Sequence, residues 1–263
     1  MSITYPKTTQ IHPKHKVLLV TLGGASASSG RDLVKNLSDS FTKSNNEFYD
    51  ERVLGVTGYA LPGSHDAWGI ARRLRTIIQT MRNKSQDQIK IVLVGKSLGG
   101  CRLHRVSKIF SRDDFDFGIE SFIGVDMSCW PAKHFQRYKT RGQTYQARVF
   151  DNNVQHLVNF YQSSDLFQTG HPVLRTGQGF DKNININVNK DDVRIDHNGI
   201  IVSSDEPIAP KANHKLSVEP ITPKADHKLS VEPIAPKANH KSIDESVPLI
   251  LGIKRIIKAG VLG

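Results

Sequence analysis

Short β-rich runs alternate with helical stretches along most of this chain, and that alternation restricts its fold more than any other feature. Lys16 to Leu22 (KVLLVTL), Arg52 to Thr57, Ile89 to Val94 (IKIVLV), Ser121 to Asp126 (SFIGVD), His156 to Tyr161 and Asn183 to Val188 read as strands. Helical spacing marks Gly30 to Lys43, Ala67 to Asn83 and Leu98 to Phe110 between them. Strand, helix and strand in series predict the α/β class: a mostly parallel sheet of about six strands with helices on both faces. Sheets of that kind place their chemistry beyond the carboxyl ends of the strands.

With 263 residues, 38% hydrophobic and 23% charged, the chain has the size and composition to bury a sizeable core, which excludes wholesale disorder. Its polar opening, MSITYPKTTQIHPKHK, is no signal-peptide core, and no apolar run approaches the roughly 18 to 20 residues of a membrane span. Two cysteines, Cys101 and Cys129, are too few for a disulfide framework and lack a C-x-x-C partner for zinc. Together these features predict a cytoplasmic, reducing location, with Cys101 packed under a helix.

Residues 206–241 repeat with a period of 13: EPIAPKANHKLSV, EPITPKADHKLSV, EPIAPKANHK. Two prolines in each unit and little apolar surface predict a flexible, disordered insertion rather than a packed element. Its histidines, His214, His227 and His240, recur in register, but without a rigid scaffold they are assigned no metal. The expected organisation is a core over 1–205, the tandem array over 206–241, and a helix within 242–263 that packs on the core through Val247, Ile250, Ile253, Ile256 and Ile257.

Directly after the most apolar strand, Gly95-Lys96-Ser97-Leu98-Gly99 satisfies G-x-S-x-G. A sharp strand-to-helix turn at that point strains and exposes a serine, and glycines are needed where side chains would strike neighbouring backbone. A phosphate-loop reading of G-K-S fails because Lys90 stands where that motif requires glycine. A serine nucleophile needs a base and an acid that orients it, following later in the chain. His197, in VRIDHNGIIV, has the expected place for the base, and both Asp126 and Asp165 follow strands and qualify as the acid. Asp196 is too close to His197 to orient its ring. Backbone N–H groups of Leu98, at the helix start, and of Gly24 and Ala25, in LGGAS, are the candidate oxyanion donors.

These residues resemble the α/β-hydrolase fold family of serine esterases and lipases, over most of Lys16 to Ser203 and again in the terminal helix. More narrowly, VDMSCWP, NFYQSSDLFQTGHPV and DHNGI look similar to a lipase-like branch with L-D-P after its sixth strand, N-x-Y-Q in its seventh and H-x-x-I near its end. The branch implies Asp126 as the acid, with Met127 in place of its proline, and the more usual family position implies Asp165; Asp126 is preferred. The family commonly carries a cap between the sixth and seventh strands, here residues 130–153, for which a cap and an ordinary loop with a helix are both open. His134 and His156 are expected to be structural, and Tyr59 and His65 lie where they could line a pocket.

The resemblance implies a serine hydrolase that cleaves a carboxylic ester or thioester through an acyl-enzyme, with Ser97, His197 and Asp126 (or Asp165) as its triad and no metal or organic cofactor. An acyltransferase using the same residues and an inactive hydrolase-fold binding protein are the alternatives. The net charge of +11 lies mostly in the body, where its sites look scattered. No nucleic-acid motif accompanies it, so the expected partners are a small-molecule or lipid ester and, through the basic surface, an anionic membrane. Nothing in the sequence fixes the oligomeric state.

Overall fold

The computed structural model describes residues 3–24, 31–60, 67–112, 114–127, 136–140, 143–162, 173–175, 184–188, 193–195, 201–203, 243 and 246–262. In chain order the elements are β1 (Val17–Gly23), α1 (Arg31–Thr42), β2 (Val53–Tyr59), α2 (Ala67–Ser85), β3 (Lys90–Lys96), α3 (Leu98–Phe110), β4 (Ile119–Val125), β5 (Gln136–Thr140), β6 (Gln143–Phe150), β7 (Val154–Tyr161), β8 (Val173–Arg175), β9 (Ile184–Asn187), β10 (Val193–Ile195), β11 (Ile201–Ser203) and α4 (Val247–Ile257). A short terminal turn, Lys258–Leu262, continues α4.

Six strands form one sheet in the order β2-β1-β3-β4-β7-β9, and every neighbouring pair runs parallel. The α/β class and its sheet are as the alternation predicts. An antiparallel bridge from Thr4 to Thr57 adds to the β2 edge. Alternation of side chains along each strand divides the core in two. Leu18, Val20, Leu93 and Phe122 point to the side covered by α2 and α3, where Leu74, Ile78, Leu103 and Val106 meet them. On the other side Leu19, Val92, Val94 and Ile123 meet Leu37 and Phe41 of α1 and Leu249, Ile253 and Ile257 of α4.

The chain leaves β1 in one direction, to β2, then turns back past β1 to β3. This reversal opens a crevice between the carboxyl ends of β1 and β3, the place where open parallel sheets bind ligands.

Two regions differ from expectation. Within 130–153, for which a cap and a loop with a helix are both open, residues 136–140 and 143–150 form the antiparallel pair β5–β6, strands where a helix was one expectation, and β6 also pairs in parallel with β8. Cys101, expected as a reduced thiol, is disulfide-bonded, and the other cysteine of the chain is Cys129. Further along, β10 and β11 form a hairpin and β10 packs against α4. The tandem array, 206–241, lies outside the described residues. Directly after it, Ile243 is fully buried in the α1–α4 side of the core. No helix among the described residues is long and apolar enough to cross a membrane.

Candidate functional site

Ser97 occupies the turn between β3 and α3 with φ 51° and ψ −127°, a left-handed conformation that costs a non-glycine residue free energy. The turn is held by its surroundings. The Ser97 N–H donates to the Val125 carbonyl of β4 at 3.1 Å, and the Ser97 carbonyl accepts from the Cys101 N–H at 3.3 Å. Leu98 then opens α3, so its N–H belongs to the first turn that a helix leaves without an internal partner.

Three glycines make this turn possible. A Cβ at Gly99 would stand 2.2 Å from the Leu22 carbonyl oxygen and 2.5 Å from that of Gly23. One at Gly95 would meet the Gly100 Cα at 2.4 Å, and one at Gly100 would meet the Met127 Cγ at 2.4 Å. The first turn of α3 is therefore pressed against the end of β1, directly at the crevice. Gly24, buried, follows β1 at the same place, and the Gly23 carbonyl accepts from the Ala60 N–H at 3.1 Å.

Asp126 ends the neighbouring strand β4 in a second left-handed conformation, φ 42°, and is wholly buried. Its N–H donates to the Phe160 carbonyl of β7. Its Oδ2 accepts from the Gln162 Nε2 at 3.4 Å, and Gln162 is also wholly buried. Two consecutive sheet strands thus end in strained, buried polar residues, Ser97 and Asp126. Met127, where the resembling branch has proline, is 2% exposed and packs over both Gly100 and Gly124. It closes the gap under the turn with a flexible side chain. Lys96 places a wholly buried lysine side chain one residue before Ser97.

The structure accordingly brings Ser97, Leu98, Gly24 and Asp126 to the carboxyl end of the sheet, past β1, β3 and β4. His197, Asp165, Ala25 and Asp196 lie outside the described residues, as do His65 and His134. Residues 196–200 link β10 to β11. His156 is exposed on β7, and Tyr59, half-buried, ends β2. Sequence reasoning missed Gln162 as the partner of Asp126; its signal was the place of the glutamine in the N-x-Y-Q run, one residue past a strand that neighbours β4. It also missed His104, buried in α3, whose Nε2 lies 2.8 Å from the Val149 carbonyl and whose ring packs at a tilt against Phe150, a structural role.

No family model matches this chain, and no curated protein matches it. Among solved structures it is similar to a cutinase-like protein from Cryptococcus sp., at 13% identity and a TM-score of 0.29, over 67% of this chain and 76% of that one. A likeness of that size carries no argument about activity.

Proposed function

We propose that the chain is a serine hydrolase acting on a carboxylic ester or thioester. The observation that carries this reading is Ser97, held at φ 51° between β3 and α3 beside the β1–β3 crevice, where it is buried rather than exposed as the motif predicts. Strain at a single residue, kept in place by three glycines without room for a side chain, is a cost that a plain turn has no need of.

In this reading the Ser97 Oγ attacks the acyl carbon while His197 takes its proton. The oxygen of the tetrahedral intermediate accepts hydrogen bonds from the Leu98 N–H and from the Gly24–Ala25 turn, each worth about 3 to 4 kcal/mol where such donors have been removed. Collapse expels the alcohol or thiol, which takes the proton from His197. Water then attacks the acyl-enzyme with His197 again as base, releasing the acid and restoring Ser97. Asp126 is the preferred acid: its burial and its bond from Gln162 suit a carboxylate that orients an imidazole. Asp165 remains the alternative until the two are separated by substitution.

Intact-mass measurement after treatment with a fluorophosphonate tests the proposal. A single adduct on the native chain, absent from Ser97→Ala and His197→Ala, is the expected result. No adduct on folded native protein overturns it and leaves a binding protein on this fold.

A further inference from the structure

The net charge of the chain is concentrated. Residues 67–112 hold eleven Lys and Arg against one acid, Asp87, whereas the rest of the chain holds 25 against 24. Asp87 is itself paired with Lys16 at 2.9 Å. The segment is α2, β3 and α3, and neither helix contains an acidic residue. Lys96 is wholly buried and Lys90 bonds the terminal turn, but the other nine, which look scattered in sequence, are gathered because α2 and α3 pack beside one another on the same face of the sheet.

The way the arginines are held is specific. Trp68, Phe115 and Phe117 form a continuous ridge, with ring centroids 6.1 and 6.2 Å apart. Arg112, Arg75 and Arg82 stack on these rings in turn, at 5.1, 5.1 and 5.0 Å. None of the three makes an ion pair among the described residues. A guanidinium whose face is covered by a ring keeps its N–H edge outward, the edge that binds phosphate oxygens in pairs. Asp114 and Asp116 flank Phe115 in sequence, and Arg72 on α2 and Arg105 on α3 add further cations to the two helices outside the ring ridge.

Phe115 and Phe117 are 7% and 4% exposed, so they cannot receive a stacked base, the contact on which single-stranded nucleic acid recognition relies. Trp68, by contrast, is 39% exposed among arginines. An indole in that setting matches the headgroup level of a bilayer, apolar on one side and wet on the other. We infer that the α2–α3 face docks on an anionic lipid surface, its arginines meeting headgroup phosphates and Trp68 entering the headgroup layer. This inference is independent of the activity proposed for Ser97.

Co-sedimentation of the full chain with vesicles tests it, comparing phosphatidylcholine alone with phosphatidylcholine mixed with phosphatidylglycerol. Binding to the mixed vesicles only, lost as salt is raised and the screening length shortens, is expected. Arg72→Gln and Arg105→Gln, both outside the ring ridge, should each weaken that binding about fivefold, the equivalent of about 1 kcal/mol per basic residue. In a Trp130→Phe background, Trp68 emission should shift to the blue on mixed vesicles. Equal binding to both vesicle types, native binding by the folded double variant, or tighter binding to duplex DNA than to mixed vesicles at the same salt would each overturn the inference.

Discussion

Gly99 is where the candidate site leaves no latitude. The carbonyl oxygens of Leu22 and Gly23 occupy the space of its Cβ, and both belong to backbone that the sheet holds rigid. Gly99→Ala is therefore expected to cost more than about 3 kcal/mol in a urea titration. Gly118→Ala, with nothing within 4 Å of the new methyl, should change stability by less than about 0.5 kcal/mol. Gln162 makes a different prediction. If Asp126 is the acid, Gln162→Ala leaves its carboxylate without this bond and lowers kcat about tenfold, the worth of one hydrogen bond to a charged group. Asp126→Asn should then abolish turnover while Asp165→Asn does not. The glycines were legible in the sequence because a G-x-S-x-G pentapeptide after an apolar strand has a mechanical reason. The packing of Met127 over Gly100 was not, since it joins residues from two elements and only the fold brings them together.

Among the elements, α3 matches its expected bounds, Leu98 to Phe110, because a nucleating turn precedes it and one apolar stripe runs its length. The sheet strands were legible for a similar reason: β1 and β3 are near-continuous apolar runs that can only be buried, and ININ of β9 alternates with the period of a strand. The β5–β6 hairpin was missed because QRYKT and QTYQARVF are mostly polar and lack the dense β-branched pattern of the others. The terminal turn was also hidden. Its Val261 carbonyl accepts from the Lys90 Nζ at 2.9 Å and its Leu262 carbonyl from the Arg52 Nη2 at 2.8 Å. These cations satisfy carbonyls that a helix end leaves open. Arg52 is fixed in turn by Asp50 at 2.7 Å, and that hydrogen bond holds the Asp50 carboxyl below its ordinary range. A depressed carboxylate stabilises the fold above its unfolded value, about 4, and the contribution is lost as pH falls through the lower folded value. Amide exchange over residues 258–262, corrected for intrinsic rates, should accordingly accelerate on acidification below about pH 4. In Arg52→Met it should be fast at neutral pH as well.

At the scale of the whole molecule, strand order matters more than strand count. The reversal between β1 and β3 sets Ser97 and Gly24 side by side although 72 positions separate them in the chain. The disulfide of Cys101 is open to a direct chemical test. Thiol labelling of the unfolded native protein, with and without reductant, should find two cysteines only after reduction. Removal of 206–241 should leave both the melting temperature and fluorophosphonate labelling essentially unchanged, because β10, Ile243 and α4 already fix the chain on either side of the array.

That anchoring on both sides has an evolutionary consequence. With both ends of the connection secured to the core, a flexible array, as its composition predicts, would add a closing free energy that depends only on the logarithm of its length. One more 13-residue unit would cost about 0.2 kcal/mol, far less than a typical point substitution. Copy number in such an array would be nearly invisible to folding, and slippage during replication could lengthen or shorten it with little selection from stability.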